Sequence, residues 1–179
     1  TLGAIAAIVL HALVPRFLAM YGNYRLFVLS MAVEFVLLVA LAFLQVAALV
    51  VAAFFLYLVT VRLIPLYIDI FLEDASIDET TGGTRGRYLT ALNFGILLSP
   101  LGITLLISNG DYWRAFIASA VLLIPIAWIS RRNYRGFRDP RYQLLRWRSV
   151  RKAIASRSMV LVSTANLLLY FFYAWMIVY

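Results

Sequence analysis

The chain has 179 residues, of which 64% are hydrophobic and 13% are charged, and its mean hydropathy is +0.91. A soluble core could not bury this much apolar surface, so the composition excludes an ordinary soluble domain. With no cysteine, one histidine and a net charge of +8 carried between apolar runs, we predict no disulfide, no metal or cofactor site and no nucleic-acid partner.

Six apolar runs follow one another along the chain, and each is close to the length of a membrane-spanning helix. Such a helix needs about 20 mostly apolar residues, and lipid offers the backbone no hydrogen-bond partner except itself. The runs are residues 1–14, 26–44, 46–68, 88–107, 114–130 and 159–179. We therefore predict an all-α membrane protein, a polytopic helical bundle with about six transmembrane helices. Because the chain starts and stops inside apolar runs, we expect it to be part of a longer protein.

The basic residues between the runs indicate the orientation. Segments 15–25, 69–87 and 131–158 contain 2, 2 and 10 of the 16 Lys and Arg residues, whereas the turn at Gln45 and segment 108–113 contain none. The positive-inside rule places the basic segments in the cytoplasm. We expect an integral membrane protein of a prokaryotic plasma (inner) membrane.

The longest basic segment, residues 131–158, divides the chain into two parts. We expect residues 1–130 to form five helices of an N-terminal bundle and residues 159–179 to be the first helix of a second bundle. Within the segment, apolar residues recur at helical spacing among arginines at Leu144, Trp147, Val150 and Ile154. This pattern predicts an amphipathic helix on anionic lipid at the cytoplasmic face, and a solvated basic loop is the alternative.

Two charged residues lie within the second and third runs. Glu34 is about eight residues inside the second run, where an ionised carboxylate is costly. Arg62 is about six residues from the inner end of the third run, so at 1.5 Å per residue the two depths differ by about 3 Å. An ion pair between them is feasible. It would serve as a proton or substrate relay or as a static pair, and the alternative is Arg62 reaching the interface alone.

Acidic residues follow the third run. Asp69 and Glu73 are one helical turn apart and could pair with Arg25 or Arg85, closing the inner side of the bundle, and ordinary solvation in a loop is the alternative. The stretch 69–79 also resembles the magnesium-binding motif of membrane prenyltransferases, which implies an enzyme. Those enzymes need a second acidic cluster, and the remaining acidic residues of this chain are isolated. We therefore expect a protein that is not an enzyme.

A glycine-proline pattern lies in the fourth run, where residues 86–103 read GRYLTALNFGILLSPLGI. Gly86, Gly95 and the pair Ser99–Pro100 resemble the motif in the fifth helix of major facilitator antiporters. Glycine permits close helix packing there, and proline bends the helix. Ser99 stands where the motif has a glycine, and residues 103–104 replace its closing glycine pair.

A second resemblance to the same family lies in segment 16–25, RFLAMYGNYR. Through Gly22 and Arg25 it resembles the signature loop between the family's second and third helices, without that loop's aspartate. The six runs would then correspond to helices two to seven. The resemblance implies a secondary active transporter that moves a small solute by alternating access, driven by a proton, another ion or a solute gradient.

Polar residues inside the runs are the candidates for a substrate path in such a transporter. Besides Arg62, they are Tyr57, Thr60, Asn93, Asn166 and Tyr170. Buried amides and hydroxyls also serve as hydrogen bonds between helices, so both roles stay open. A membrane scaffold without transport activity is a further alternative. The sequence indicates neither the substrate nor the coupling ion.

Overall fold

A computed structural model describes residues 13–74, 76, 81–107, 111–140, 142 and 156–178. Over these residues the chain is helical and contains no strand, which confirms the all-α prediction. The helices are α1 (residues 13–21), α2 (Asn23–Phe43), α3 (Ala47–Thr60), α4 (Leu63–Asp74), α5 (Thr81–Leu106), α6 (Tyr112–Tyr134) and α7 (Arg157–Val178).

Four stretches are long and apolar enough to cross a membrane, consistent with an integral membrane protein. They are Asn23–Phe43, Ala47–Asp74, Gly82–Leu106 and Tyr112–Tyr134. They correspond to the second through fifth predicted runs. The first run, residues 1–14, lies almost entirely outside the described residues, and in α7 the continuously described stretch Arg157–Leu169 is apolar but shorter than a spanning helix. The total of six spans therefore stays a prediction.

The third predicted run, residues 46–68, is not one continuous helix. α3 ends at Thr60, and a turn at residues 61–62 leads into α4. Pro65 explains this break. Proline has no N–H to donate to the carbonyl four residues earlier, so it interrupts the middle of a helix. In the first turn of a new helix no N–H has a partner within the helix, so proline is tolerated there. The Thr60 hydroxyl donates to the carbonyl oxygens three and four residues earlier, both at 3.1 Å, and so competes with the helical pattern.

α4 continues beyond the predicted end of the run, as far as Asp74. Asp69 and Glu73 therefore lie on a helix rather than in a polar loop, one turn apart and both exposed. The two carboxylates therefore share one face of α4, as the predicted ion pairs with Arg25 or Arg85 require.

α2 is the central helix of the described bundle and packs against α3, α4 and α6. Its buried positions recur every three or four residues, as expected for a helix with one covered face: Asn23, Phe27, Ser30, Met31, Glu34, Leu38 and Leu41. This stripe carries one charged residue, Glu34, among mostly apolar neighbours.

An aromatic cluster fills the core near the start of α2 and the ends of α4 and α6. Phe71 is 4% exposed, and its ring stacks on Tyr134 with centroids 4.4 Å apart. The edges of Phe27 and Phe137 meet the same ring at centroid distances of 5.5 and 4.8 Å. Such edge-to-face and stacked pairs add to the stabilisation from burial alone.

The chain forms two compact units, Thr1–Tyr142 and Gln143–Tyr179. The core described above belongs to the first unit, and α7 belongs to the second. The predicted amphipathic helix in segment 131–158 falls almost wholly on residues 141 and 143–155, which lie outside the described residues.

Candidate functional site

A sharp turn at Gly22 separates α1 from α2. Its φ of 80° lies in the left-handed region, which glycine adopts without steric cost. A Cβ atom at this position would collide with the carboxylate of Asp139, so Gly22 also permits a close approach from the segment after α6. The glycine of the signature-like loop is thus needed for both its backbone conformation and its lack of a side chain.

Asp139 joins the start of α2 to the end of α6. Its Oδ1 accepts a hydrogen bond from the backbone N–H of Asn23 at 2.6 Å and another from the hydroxyl of Tyr142 at 2.6 Å. A negative group is favourable at this position because the first N–H groups of a helix have no acceptor within it. These contacts place the start of α2 and the end of α6 at the same side of the bundle.

Asn23 fixes the register between α2 and α4. The residue is fully buried, and its Nδ2 donates to the backbone carbonyl of Tyr67 at 3.0 Å. Its Oδ1 is buried and has no hydrogen-bond partner among the described residues. Asn23 and Tyr67 therefore lie at the same depth, and depths along both helices can be counted from them.

A cavity of about 550 Å³ lies beside Asp139, between the α1–α2 turn and the segment after α6. Its polar lining includes Arg25, Arg135, Tyr24 and Tyr142. Burial, together with the hydrogen bond to Asp139 and the negative charge of that residue, raises the pKa of Tyr142 above its usual value. Tyr142 therefore keeps its proton and remains a hydrogen-bond donor throughout the neutral range.

Glu34 is the charged residue of the buried stripe on α2. It is 6% exposed, and its Oε2 has no hydrogen-bond partner within the described part of the chain. Glu34 is 11 residues beyond Asn23, about 16 Å along the helix axis. The half-buried Tyr57 on α3 lies within electrostatic range of its carboxylate.

The feasible ion pair between Glu34 and Arg62 is not formed. Arg62 lies in the turn between α3 and α4, where it is exposed. It is five residues from Tyr67, about 8 Å along the helix, whereas Glu34 is about 16 Å from the same level. The depths therefore differ by about 9 Å instead of the predicted 3 Å, because the hydrogen bond from Asn23 to Tyr67 sets a different register of α4 against α2 from the one that the sequence suggested.

The predicted cytoplasmic gate residues are separate in this structure. Arg25 lies at the cavity beside Asp139, while Asp69, Glu73 and Arg85 are exposed on α4 and α5. Asp69 lies within electrostatic range of Tyr88 on α5. None of the four gate candidates forms an ion pair with another described residue.

The candidates for a substrate path are distributed over several helices. Tyr57 lies within electrostatic range of Glu34, the Thr60 hydroxyl donates to carbonyl oxygens of the preceding turn, and Asn93 is exposed on α5. Asn166 is exposed on α7 in the second unit, and the side chain of Tyr170 lies outside the described part. The structure thus brings one candidate, Tyr57, towards Glu34.

The glycine-proline motif lies wholly within α5. A Cβ at Gly86 or Gly95 would meet nothing within 4 Å, so neither glycine makes a close contact with another described helix. The Ser99 hydroxyl donates to the carbonyl of Ile96 at 2.9 Å, one turn before Pro100 interrupts the hydrogen-bond ladder.

The acidic stretch 69–79 is only partly described. Residues 77–79, which include two of its acids, lie outside the described residues. Within the described ranges, no three His, Asp or Glu side chains are arranged to hold a metal ion.

The roles of Asp139 and Asn23 were not predicted from the sequence. Nothing in the spacing of the residues showed that the segments around Asn23 and Asp139 meet across 116 residues. No protein-family model, curated protein sequence or solved structure matches this chain. Its function is therefore inferred from its own residues.

Proposed function

We propose that this chain is part of a secondary active transporter that moves a small solute by alternating access, with Glu34 as the site that couples transport to a proton or another ion. In this proposal the chain forms a bundle of the major facilitator type in a prokaryotic inner membrane. It crosses the membrane six times, and four of these spans are among the described residues. The sequence resemblance at residues 16–25 and 86–103 supports the family. Glu34 carries the functional part.

An ionisable side chain at the depth of Glu34 costs free energy, and a functional role explains why the protein has one there. It lies about 16 Å from the inner end of α2, near the middle of a hydrocarbon core roughly 30 Å thick. An ionised carboxylate there needs a partner, water or a proton, and Oε2 has no hydrogen-bond partner among the described residues. A protein that only anchors other proteins gains nothing from this cost, whereas a transporter can couple loading and release of a cation to a conformational change.

Tyr57 is the polar residue placed to assist. It lies on α3, half-buried and within electrostatic range of the carboxylate. Counted from the shared level of Asn23 and Tyr67, Tyr57 is 10 residues along its helices and Glu34 is 11, so their depths match within about 2 Å for helical rise. The Tyr57 hydroxyl, at this depth, can donate a hydrogen bond to the Glu34 carboxylate and stabilise its ionised form.

The test is transport by the full-length protein in proteoliposomes. A pH-sensitive dye trapped inside reports proton entry while a panel of small solutes is supplied outside under an imposed pH gradient. We expect solute-dependent proton movement with the wild-type protein, and at least a tenfold loss with Glu34→Gln, which keeps the shape of the side chain but cannot ionise. Asp74→Asn is the matched control, because Asp74 is an exposed carboxylate at the end of α4.

Two results would contradict the proposal. If Glu34→Gln transports solute with the same pH dependence as the wild type, Glu34 is not the coupling site. If proteoliposomes with wild-type protein show no solute flux above protein-free vesicles across the panel, transport itself is the wrong function.

A further inference from the structure

We propose that the cavity beside Asp139 binds a phosphate-bearing anion, with Arg25 and Arg135 as its ligands. The cavity has a volume of about 550 Å³ and opens on the side of the bundle where α2 begins and α6 ends. This volume is in the range of sites that hold small molecules or parts of larger ones. The inference does not depend on the proposed transport activity.

The two arginines are available for a ligand. Arg25 is in the first turn of α2, Arg135 follows the end of α6, and both are exposed at the cavity. Neither forms an ion pair with any described residue, in contrast to Arg114, which pairs with Asp111 at 3.5 Å. A guanidinium group offers parallel N–H donors that match the oxygens of a phosphate.

The one carboxylate in the lining does not neutralise these arginines. Asp139 directs Oδ1 to the backbone N–H of Asn23 and to the hydroxyl of Tyr142, both at 2.6 Å. The lining therefore contains two arginines and one carboxylate, and that carboxylate already accepts two hydrogen bonds. The lining has a net positive charge, and a bound anion would neutralise that charge.

The position of the cavity indicates which phosphate it would meet. It lies at the ends of α2 and α6, two helices long enough to cross a membrane, and so at the height of the lipid headgroups. Tyr21 and Tyr24 line the same opening, and tyrosine is enriched at this level of the bilayer. A lipid phosphate and a soluble phosphate offer the same oxygens, but only the lipid is held at this height.

Native mass spectrometry of the full chain, purified in detergent and stripped of lipid, would test the site. The probes are phosphatidylglycerol, phosphatidylcholine and inorganic phosphate, each added in a titration. We expect one phosphatidylglycerol to be retained at least tenfold more tightly than phosphatidylcholine, with retention that weakens as salt increases. The double variant Arg25→Gln/Arg135→Gln should lose this preference, since each substitution removes a charged donor.

The control is Arg16→Gln, which removes one exposed positive charge on α1 that does not line the cavity. It should retain the lipid preference. Arg25→Lys/Arg135→Lys keeps the charge without the planar fork, and intermediate retention would support direct contact. Far-ultraviolet circular dichroism confirms that each variant is folded.

The outcomes separate the sources of phosphate. Binding of inorganic phosphate that depends on the same two arginines, without a preference for phosphatidylglycerol, would keep the site and assign it to a soluble phosphate. If the wild-type protein shows no preference for either phosphate probe over phosphatidylcholine, the proposal is overturned. It is likewise overturned if a folded double variant binds as the wild type does.

Discussion

Replacing Asp139 by alanine is the most direct perturbation of the junction between α2 and α6. The substitution removes the acceptor of two hydrogen bonds, each 2.6 Å long, from the Asn23 backbone and the Tyr142 hydroxyl. It also leaves the N–H of a fully buried residue without an acceptor at the start of a helix. We expect the junction to open more readily while the rest of the bundle stays folded.

The magnitude follows from these contacts. Hydrogen bonds to charged groups contribute about 1.5–3 kcal/mol when buried, and because Asp139 is exposed we assign about 1 kcal/mol to the pair together. The unsatisfied N–H of Asn23 costs about 1–2 kcal/mol more. A total of about 2–3 kcal/mol corresponds to local opening about 30- to 150-fold more frequent.

Hydrogen exchange followed by mass spectrometry measures this opening. Peptides covering residues 18–27 should exchange about 30- to 150-fold faster in Asp139→Ala than in the wild type under conditions where exchange reports the opening equilibrium. Asp139→Asn keeps an acceptor oxygen and should lie between the two. Asp111→Ala, which removes an exposed acid paired with Arg114, should leave these peptides unchanged. Acceleration of less than about twofold in Asp139→Ala would show that Asp139 does not hold the two helix ends together.

Two further substitutions test the core and the titration of the junction. Phe71→Ala removes a ring that is 4% exposed and contacts three others, so we expect a loss of about 3–5 kcal/mol in denaturant unfolding of the protein in detergent; a loss under about 1 kcal/mol would contradict the packing described. Tyr142 has a raised pKa, so its stabilising contribution is complete below about pH 10, where tyrosine in the unfolded chain begins to ionise, and is lost as pH rises through the folded-state pKa. Between pH 10 and pH 12 the wild type should therefore lose more stability than Tyr142→Phe, and parallel unfolding curves for the two proteins would show that the Tyr142 proton does not contribute.

The apolar runs allowed much of the fold to be predicted from the sequence. The second, fourth and fifth runs appear as α2, α5 and α6, with ends shifted by a few residues for α2 and α6 and by seven residues at the start of α5. Glu34 belongs to the buried stripe of α2, and a carboxylate in a membrane-spanning helix is expected to face the interior of the bundle. Pro65 was also visible in the sequence, but whether a proline bends a helix or starts a new one depends on the residues that pack around it.

The sequence by itself determined that the chain is helical, since runs of this length and composition leave the backbone no partner in lipid but itself. It also identified Glu34 as a carboxylate within an apolar run. Only the tertiary structure decided which residues meet. The hydrogen bond from Asn23 to Tyr67 sets the register of α2 against α4. This register brings Tyr57 to the depth of Glu34 and leaves Arg62 at a depth that differs from that of Glu34 by about 9 Å. The contact between Asp139 and Asn23 likewise joins residues 116 positions apart, because periodicity reports the face of a helix and not the neighbour that covers it.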